Sequence, residues 1–565
     1  MPIRNWLLLL IATAMLPFHS AERSSAVPVP PAVRQTQWTM FGGTPSRNMV
    51  NLSDEKIPTT WSAAEGKHQN IRWKAQLGSR TYTQPVVADG RVFCGANNEN
   101  PRNHRDRKKP NDDDPQGEPI DKGVLMCFDA RTGAFLWQYV SDKLPSGMVS
   151  DWPREGLTST PAVEKDRAYF VTNRCEVICA DVNGFLDGKN DGVKDEKYTD
   201  KTDGDVLWRY NMLTELKVFP HNMSHCSPLI VGDRIFICTS NGVDEGHINV
   251  PAPDAPSFIA LDKNTGKLLW QSSLPGRNIM HGQWASPAYA EIKGVPQVIF
   301  PAGDGWLYAF QPDNGKLIWK FDANPKDATY ELGGKGTKSD FISAPVIYKN
   351  RIFIGTGQDP EHHDGVGHFW CIDPAGKTGD ISPDLVADAS VAPPKTMVNP
   401  NSGAVWHYGG DEKRQFAPRD HIFGRTLSTA CIVDDVIYIP ELAGYIHCLD
   451  AHTGKMYWMF DTRSSIWGSP MYADGKVFVA NDDGDVFVIR HEPKPDTIDP
   501  VGAAAVVNDA KNAKLVYRGT MKMVLEKFVL NKIEMEEPIR SIPSIAGGVL
   551  YIATERSLYA IAAGK

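Results

Sequence analysis

The side chains best suited to hold a ligand gather in eight short segments, each a few residues ahead of a Ser/Thr-x-Pro sequence or a variant of it. They are Arg80; Arg154 with Glu155; His221 with His225; His281 with Gln283 and Trp284; Lys338 with Asp340; Arg425; Trp467; and Arg540. A guanidinium offers a two-pronged grip on carboxylate or phosphate, and an indole offers a flat apolar face. The set is polar, aromatic and net basic on a chain of formal net charge −8. It predicts a site for a small anionic or polyhydroxylated ligand. A solvated surface with no specific ligand accounts for the same residues, and His221, His225 and His281 are also a metal-ligand set by composition, without diagnostic spacing.

Two further segments carry metal-binding residue types. Asp181, Asn183, Asp187, Asp191 and Asp195 alternate with glycines as calcium loops do, but Lys189 occupies a ligand position and no Glu closes the loop, so a turn-forming insertion competes with a calcium site. Glu361-His362-His363-Asp364, with His368 nearby, resembles a metal cluster by composition alone, and exposed loop histidines account for it better. Nine cysteines is an odd number. Cys127, Cys179, Cys371 and Cys448 each stand two residues before an Asp, a slot that holds Ala260 in a related stretch, so they read as small buried side chains. Cys175 and Cys179, if both lie on one strand, are ~13 Å apart and beyond disulfide reach.

A recurring unit must position these residues. It begins with Ser/Thr-x-Pro, passes through a β-prone run to an Asp, then reads Thr-Gly with a Trp four residues past the Gly. Starts fall at Pro85, Pro161, Pro228, Pro287, Pro345, Thr429, Pro470 and Pro543; ends fall at Trp137, Trp208, Trp270, Trp319, Trp406, Trp458 and, less typically, Tyr517. That is one end too few. Asn70-Ile-Arg-Trp73-Lys-Ala precedes the first start and reads as an orphan terminal strand; pairing it with the last unit closes the ring. The Asp can bond the turn backbone, Gly tolerates positive φ, and Trp73, Trp137, Trp208, Trp270, Trp319 and Trp458 are expected between units as structural residues.

The unit resembles the repeat of pyrroloquinoline-quinone (PQQ)-dependent alcohol dehydrogenases and of the propeller lipoprotein of the outer-membrane β-barrel assembly machinery, from about Trp38 to Ala563. The resemblance implies an all-β, eight-bladed propeller of four-stranded antiparallel blades, with the eight ligand-type segments ringing one channel mouth. For the alcohol-oxidising members it also implies PQQ and Ca²⁺. This chain has no adjacent cysteine pair to lie against a quinone, no Cys-x-x-Cys-His haem motif, and no stretch matching that family's calcium ligands or catalytic Asp. Two readings follow: a binding or scaffold propeller without catalysis, holding a protein partner or small ligand at the channel mouth and long loops; and, alternatively, a PQQ- and Ca-dependent oxidoreductase acting on alcohols or sugars.

A mild acidic balance without clustered Lys and Arg excludes a nucleic-acid surface. The charged start, the apolar run from Trp6 to Leu16 and the small residues ending at Ala26 read as a Sec-type signal peptide over 1–26. A proline-rich lead-in over 27–37 and the propeller over 38–565 follow. With the first cysteine at Cys94, the expectation is a monomer that is periplasmic or secreted, with no lipid anchor and no membrane span. Asn97 to Gly123 reads as a mobile loop of the first blade, Pro374 to Arg425 as a lengthening of the fifth, and Met521 to Leu530 as a strand or short helix.

Overall fold

The structure is a computed structural model that describes residues 36–362, 364–410, 419 and 421–564; the expected signal peptide, nearly all of the lead-in, and His363 lie outside them. Eight radial antiparallel sheets each start on a short strand after one of the eight sequence starts. Blade 1 runs from Val86 to Asp142, blade 2 from Ala162 to Asn211, blade 3 from Leu229 to Ser272 and blade 4 from Ala288 to Asp322. Blades 5, 6 and 7 span Val346–Gly409, Cys431–Asp461 and Met471–Glu534. Blade 8 takes three strands from Ser544–Ile561 and its outer strand from Ile71–Gln76, with Trp73 opposite Ala560. The orphan strand therefore closes the ring, and no blade edge is left open at the junction.

The repeat motif has a physical reason at each end. At the start, the Ser/Thr hydroxyl of one blade accepts the backbone amide of the preceding blade's equivalent residue: Gln84 donates to Thr160 Oγ1, Thr160 to Ser227 Oγ, Ser227 to Ser286 Oγ, Ala344 to Thr429 Oγ1 and Thr429 to Ser469 Oγ, all at 2.8–3.1 Å. At the other end, the turn carboxylate of Asp129, Asp262 or Asp450 accepts two backbone amides and the Thr hydroxyl. The Gly that follows lies at φ near +70° and leaves room for an indole from the neighbouring blade. Trp73, Trp137, Trp208, Trp270 and Trp406 each donate Nε1–H to the carbonyl just after that Asp or its equivalent (Ala130, Val182, Lys263, Pro312 and Ala451) at 2.8–3.1 Å. Opposite Trp137, Trp208, Trp406 and Trp458 stand Cys127, Cys179, Cys371 and Cys448, where a small side chain fits the face of the indole. All nine cysteines are free and buried.

Blade 7 departs from the expectation. Tyr517 is not its outer-strand residue; it lies in a helix, Ala510–Phe528, that runs straight into the outer strand Val529–Glu534. Ala513, Tyr517, Val524 and Phe528 form its buried stripe, and Phe528 stacks on Trp458, replacing the missing Thr-Gly turn. Met521 to Leu530 is thus helix and then strand. In blade 5 the lengthening includes a hairpin, Asp384–Asp388 with Lys395–Val398, and a two-residue strand, Gly379–Asp380, that adds to the outer edge of blade 4 beside Trp319. Trp319 Nε1 therefore turns to Gln297 Oε1 at 2.7 Å. The blade 1 loop does not stand free: buried Asp106 pairs with Lys122 at 3.0 Å, and Arg105 pairs with Asp200 and Asp203 of blade 2.

One feature has no counterpart in the repeat. Residues 38–51 thread along the innermost strands. Trp38 bridges to Val87; the carbonyls of Thr39, Pro45, Ser46 and Met49 accept amides from Val163, Tyr289, Ile347 and Tyr472; and the Asn48 and Asn51 side chains bond Ile432 and Ile545. Arg47, fully buried, donates to the carbonyls of Pro287, Phe41, Ser227 and Pro228. One segment thereby satisfies inner-strand backbone in every blade.

Candidate functional site

A cavity of about 340 Å³ lies on the axis, lined from all eight blades, with Phe41 of the threading segment contributing to its wall. That volume is in the range of small-ligand pockets. Of the sequence-selected residues, Arg80, Glu155, His225, Trp284, Trp467 and Arg540 line it. Tyr82, Trp152, Asn222 and Asp359 join them and were not singled out in the sequence, and Glu361, expected in a loop cluster with His362, lines the cavity too. Asp359 and Glu361 come from a loop between strands of blade 5, so no spacing ahead of a blade start could have marked them.

Both cavity guanidiniums are committed to the wall. Arg80 pairs with Glu155, and Arg540 grips Asp482 at 2.7 and 3.1 Å while facing Glu555 at 3.5 Å. Burial would lower the pKa of each, but Glu155 beside Arg80, and Asp482 with Tyr82 beside Arg540, hold both above the ordinary arginine value. Trp467 stacks on Arg540, whose carbon lies 4.9 Å from the ring centre. The expected basic funnel is therefore corrected: two arginines meet the cavity carboxylates of Glu155, Asp359 and Glu361. Burial pushes the Asp359 carboxyl up to about 6, against hydrogen bonds from Glu361 N–H and the Asn222 side chain. His225, stripped of water, is pulled down to about 4 and is neutral at pH 7. Its Nδ1, and Oε2 of Glu155, are buried without a hydrogen-bond partner.

The remaining selected residues lie elsewhere. Arg425 is 1% exposed and donates to the carbonyls of His362, Gly334 and Gly336, pinning loops of blade 5. Gln283 bonds Asn241 O and Ser257 Oγ. Asp340 bridges to Gly357 through its backbone, and burial holds its carboxyl well above the usual range. Arg154 is an exposed side chain near Glu99 at 3.5 Å. His221 and His281 stand behind Trp284 in a cluster with His247. The candidate calcium loop is not gathered: Asn183 Oδ1 takes Arg91, Asp187 takes Lys189, Asp195 takes Arg209, and Asp181 caps its own turn. Glu361 and His362 also part company, since Glu361 faces the cavity and His362 Nδ1 meets Gln358 Oε1 at 3.1 Å.

A family model described as outer membrane protein assembly factor BamB matches residues 121–377 and 396–492. The chain belongs to the PQQ-like propeller family. Among its relatives, a polyvinylalcohol dehydrogenase of Sphingopyxis sp. (strain 113P3) is 22% identical over 402 residues, covering 62% of this chain and 53% of that protein. BamB of Xanthomonas campestris pv. campestris is 24% identical over 213 residues, 36% of this chain and 48% of that one. The chain thus spans about half the length of the curated relatives it matches. A europium-containing methanol dehydrogenase structure superposes with a TM-score of 0.52 at 14% identity, covering 92% of this chain and 89% of the other, which shows the shared fold. The relatives of this PQQ-like propeller therefore include both a polyvinylalcohol dehydrogenase and an assembly factor. Among the described residues of this PQQ-like propeller, no helix is long and apolar enough to cross a membrane.

Proposed function

We propose that this chain is an exported binding propeller whose axial cavity takes a polyhydroxylated ligand. The observation that carries this reading is a cavity lining that sets the Glu155 carboxylate and the neutral His225 imidazole beside three indoles (Trp152, Trp284 and Trp467). Hydroxyl groups satisfy such a carboxylate and a neutral imidazole, and sugar-like C–H faces pack on indoles. A simple anion is disfavoured because Arg80 and Arg540 are already neutralised. Export rests on the apolar run from Trp6 to Leu16.

A second reading, a quinoprotein oxidoreductase, draws on the hydrogen bond between Asn222 and Asp359 beside Glu155. Those oxygens suit a hard cation such as Ca²⁺, Trp284 and Trp467 could flank a planar ring, and Arg80 and Arg540 could face its carboxylates. PQQ, when bound, supplies two-electron redox chemistry. Under this reading the chain's own contribution would be to hold the cation with Asn222, Asp359 and Glu155 and to orient the ring between the indoles.

Calorimetric titration separates the two. Neutral sugars or polyols should bind, and Trp467→Ala should weaken them about tenfold, equivalent to ~1.4 kcal/mol. Binding of PQQ with Ca²⁺ and dye reduction by alcohols, with no affinity for the sugars alone, would reverse the ranking.

A further inference from the structure

Behind Trp284, three imidazoles meet at their Nε2 atoms. The separations are 3.1 Å between His221 and His281, 3.0 Å between His221 and His247, and 3.2 Å between His247 and His281. They come from three places in the fold: the segment before blade 3, the loop between its second and third strands, and the segment before blade 4. His221 and His281 are buried, whereas His247 is partly exposed.

Hydrogen bonding alone cannot complete this triangle. His221 Nδ1 lies 2.8 Å from the Val243 carbonyl, which takes its N–H and leaves Nε2 as a lone pair. A ring nitrogen is either donor or acceptor, so a closed circuit of three nitrogens always leaves one edge with two like atoms facing. A cation fits where a proton pattern does not. At ~2.0–2.1 Å from each nitrogen it would sit about 1 Å off their plane, with a further position open on the far side.

The surroundings match what imidazole ligands need. His281 Nδ1 is buried with no hydrogen bond, and the nearest carboxylate oxygen, Asp359 Oδ2, stands 3.7 Å away, placed to orient the ring. His362 belongs to the same cluster, its ring centre 5.0 Å from that of His281. We propose that His221, His247 and His281 form a three-histidine site for a divalent first-row transition-metal ion of the zinc type, clamping the blade 3 loop to the start of blade 4. All-nitrogen donors favour zinc, copper or nickel over calcium. The three imidazoles lie outside the cavity lining but share Asp359 and Trp284 with its wall, and metal binding read directly tests them whatever the cavity holds.

The sequence offered only part of this set. His221 and His281 were visible ahead of blade starts, but the third partner suggested by proximity was His225, which faces the cavity. His247 sits in a loop with positive φ that the Asp244 side chain closes through bonds to Ile248 and Asn249.

The test uses the full chain without a histidine tag, stripped with chelator and titrated with Zn²⁺ or Co²⁺. One equivalent should bind, Co²⁺ should give the visible absorption of a low-coordinate nitrogen site, and His247→Ala should weaken binding by about 100-fold or more. His247 is on a partly exposed loop, so that variant should keep the wild-type circular dichroism, and His452→Ala, an exposed control, should bind as wild type. Substoichiometric binding by the wild type, or His247→Ala binding Zn²⁺ as tightly as wild type, would overturn the proposal.

Discussion

Glu441, fully buried in blade 6, meets Arg419 Nη2 at 2.5 Å and His447 Nε2 at 3.1 Å, and Gly424 N–H also donates to it. Burial pushes its carboxyl up, but Arg419 and His447 outweigh that and hold it near 2, below its ordinary 4.5. A carboxylate with a depressed folded pKa contributes stability that is present above the unfolded value and lost as pH falls through the folded one. Unfolding midpoints should therefore decline between about pH 4.5 and pH 2 in wild type and less in Glu441→Gln. At pH 7 the same variant should lose roughly 3 kcal/mol, because it strands Arg419 as a buried unpaired charge. Single-residue roles were the least legible layer. Arg425 and Gln283 were chosen for their chemistry and position, yet their donors are spent on backbone and neighbouring side chains, information that exists only in three dimensions.

Between neighbouring blades the recurring joint is an indole on a turn. Trp208 donates to Lys263 O and covers Gly266, where an added Cβ would lie 2.5 Å from the ring and φ is +71°. Trp208→Ala should cost about 3–5 kcal/mol in denaturant unfolding, and Gly266→Ala about 1 kcal/mol or more. The double variant should lose less than the two separately, since removing the indole removes the clash. This joint was readable because Asp, Thr, Gly and Trp each answer one local requirement at fixed spacing. Blade 7 was misread for the converse reason: Tyr517 occupies the distance expected of a terminal aromatic, while the spacing of Ala513, Tyr517, Val524 and Phe528 is that of a helix face.

Ring closure was legible because starts and ends were counted separately, and the surplus strand could pair in one place only. The threading of residues 38–51 was not, since a segment that bonds through its carbonyls needs no particular side chains. The exceptions are the side chains of Arg47, Asn48 and Asn51, of which Arg47 makes the most bonds. Its guanidinium reaches four carbonyls, two of them in blade 3, and burial lowers its pKa to about 10. Arg47→Met keeps the volume but leaves those carbonyls dry and unbonded, so its unfolding free energy, measured by denaturant titration, should fall by about 2–4 kcal/mol. The axial cavity should also lose definition where Phe41 meets it, seen as weaker ligand binding at unchanged secondary structure.

The strand Ile71–Gln76 finds its partner only at Ser557–Ile561. During synthesis this strand, which precedes blade 1 in the chain, must therefore wait unpaired until the last blade exists. Such an arrangement makes acquisition of the native state slow and all-or-nothing at its final step, and it favours a holding chaperone during that delay. In pulsed hydrogen exchange during refolding, the amides of Ile71–Gln76 should gain protection later than those of the strands within blades 1 to 6.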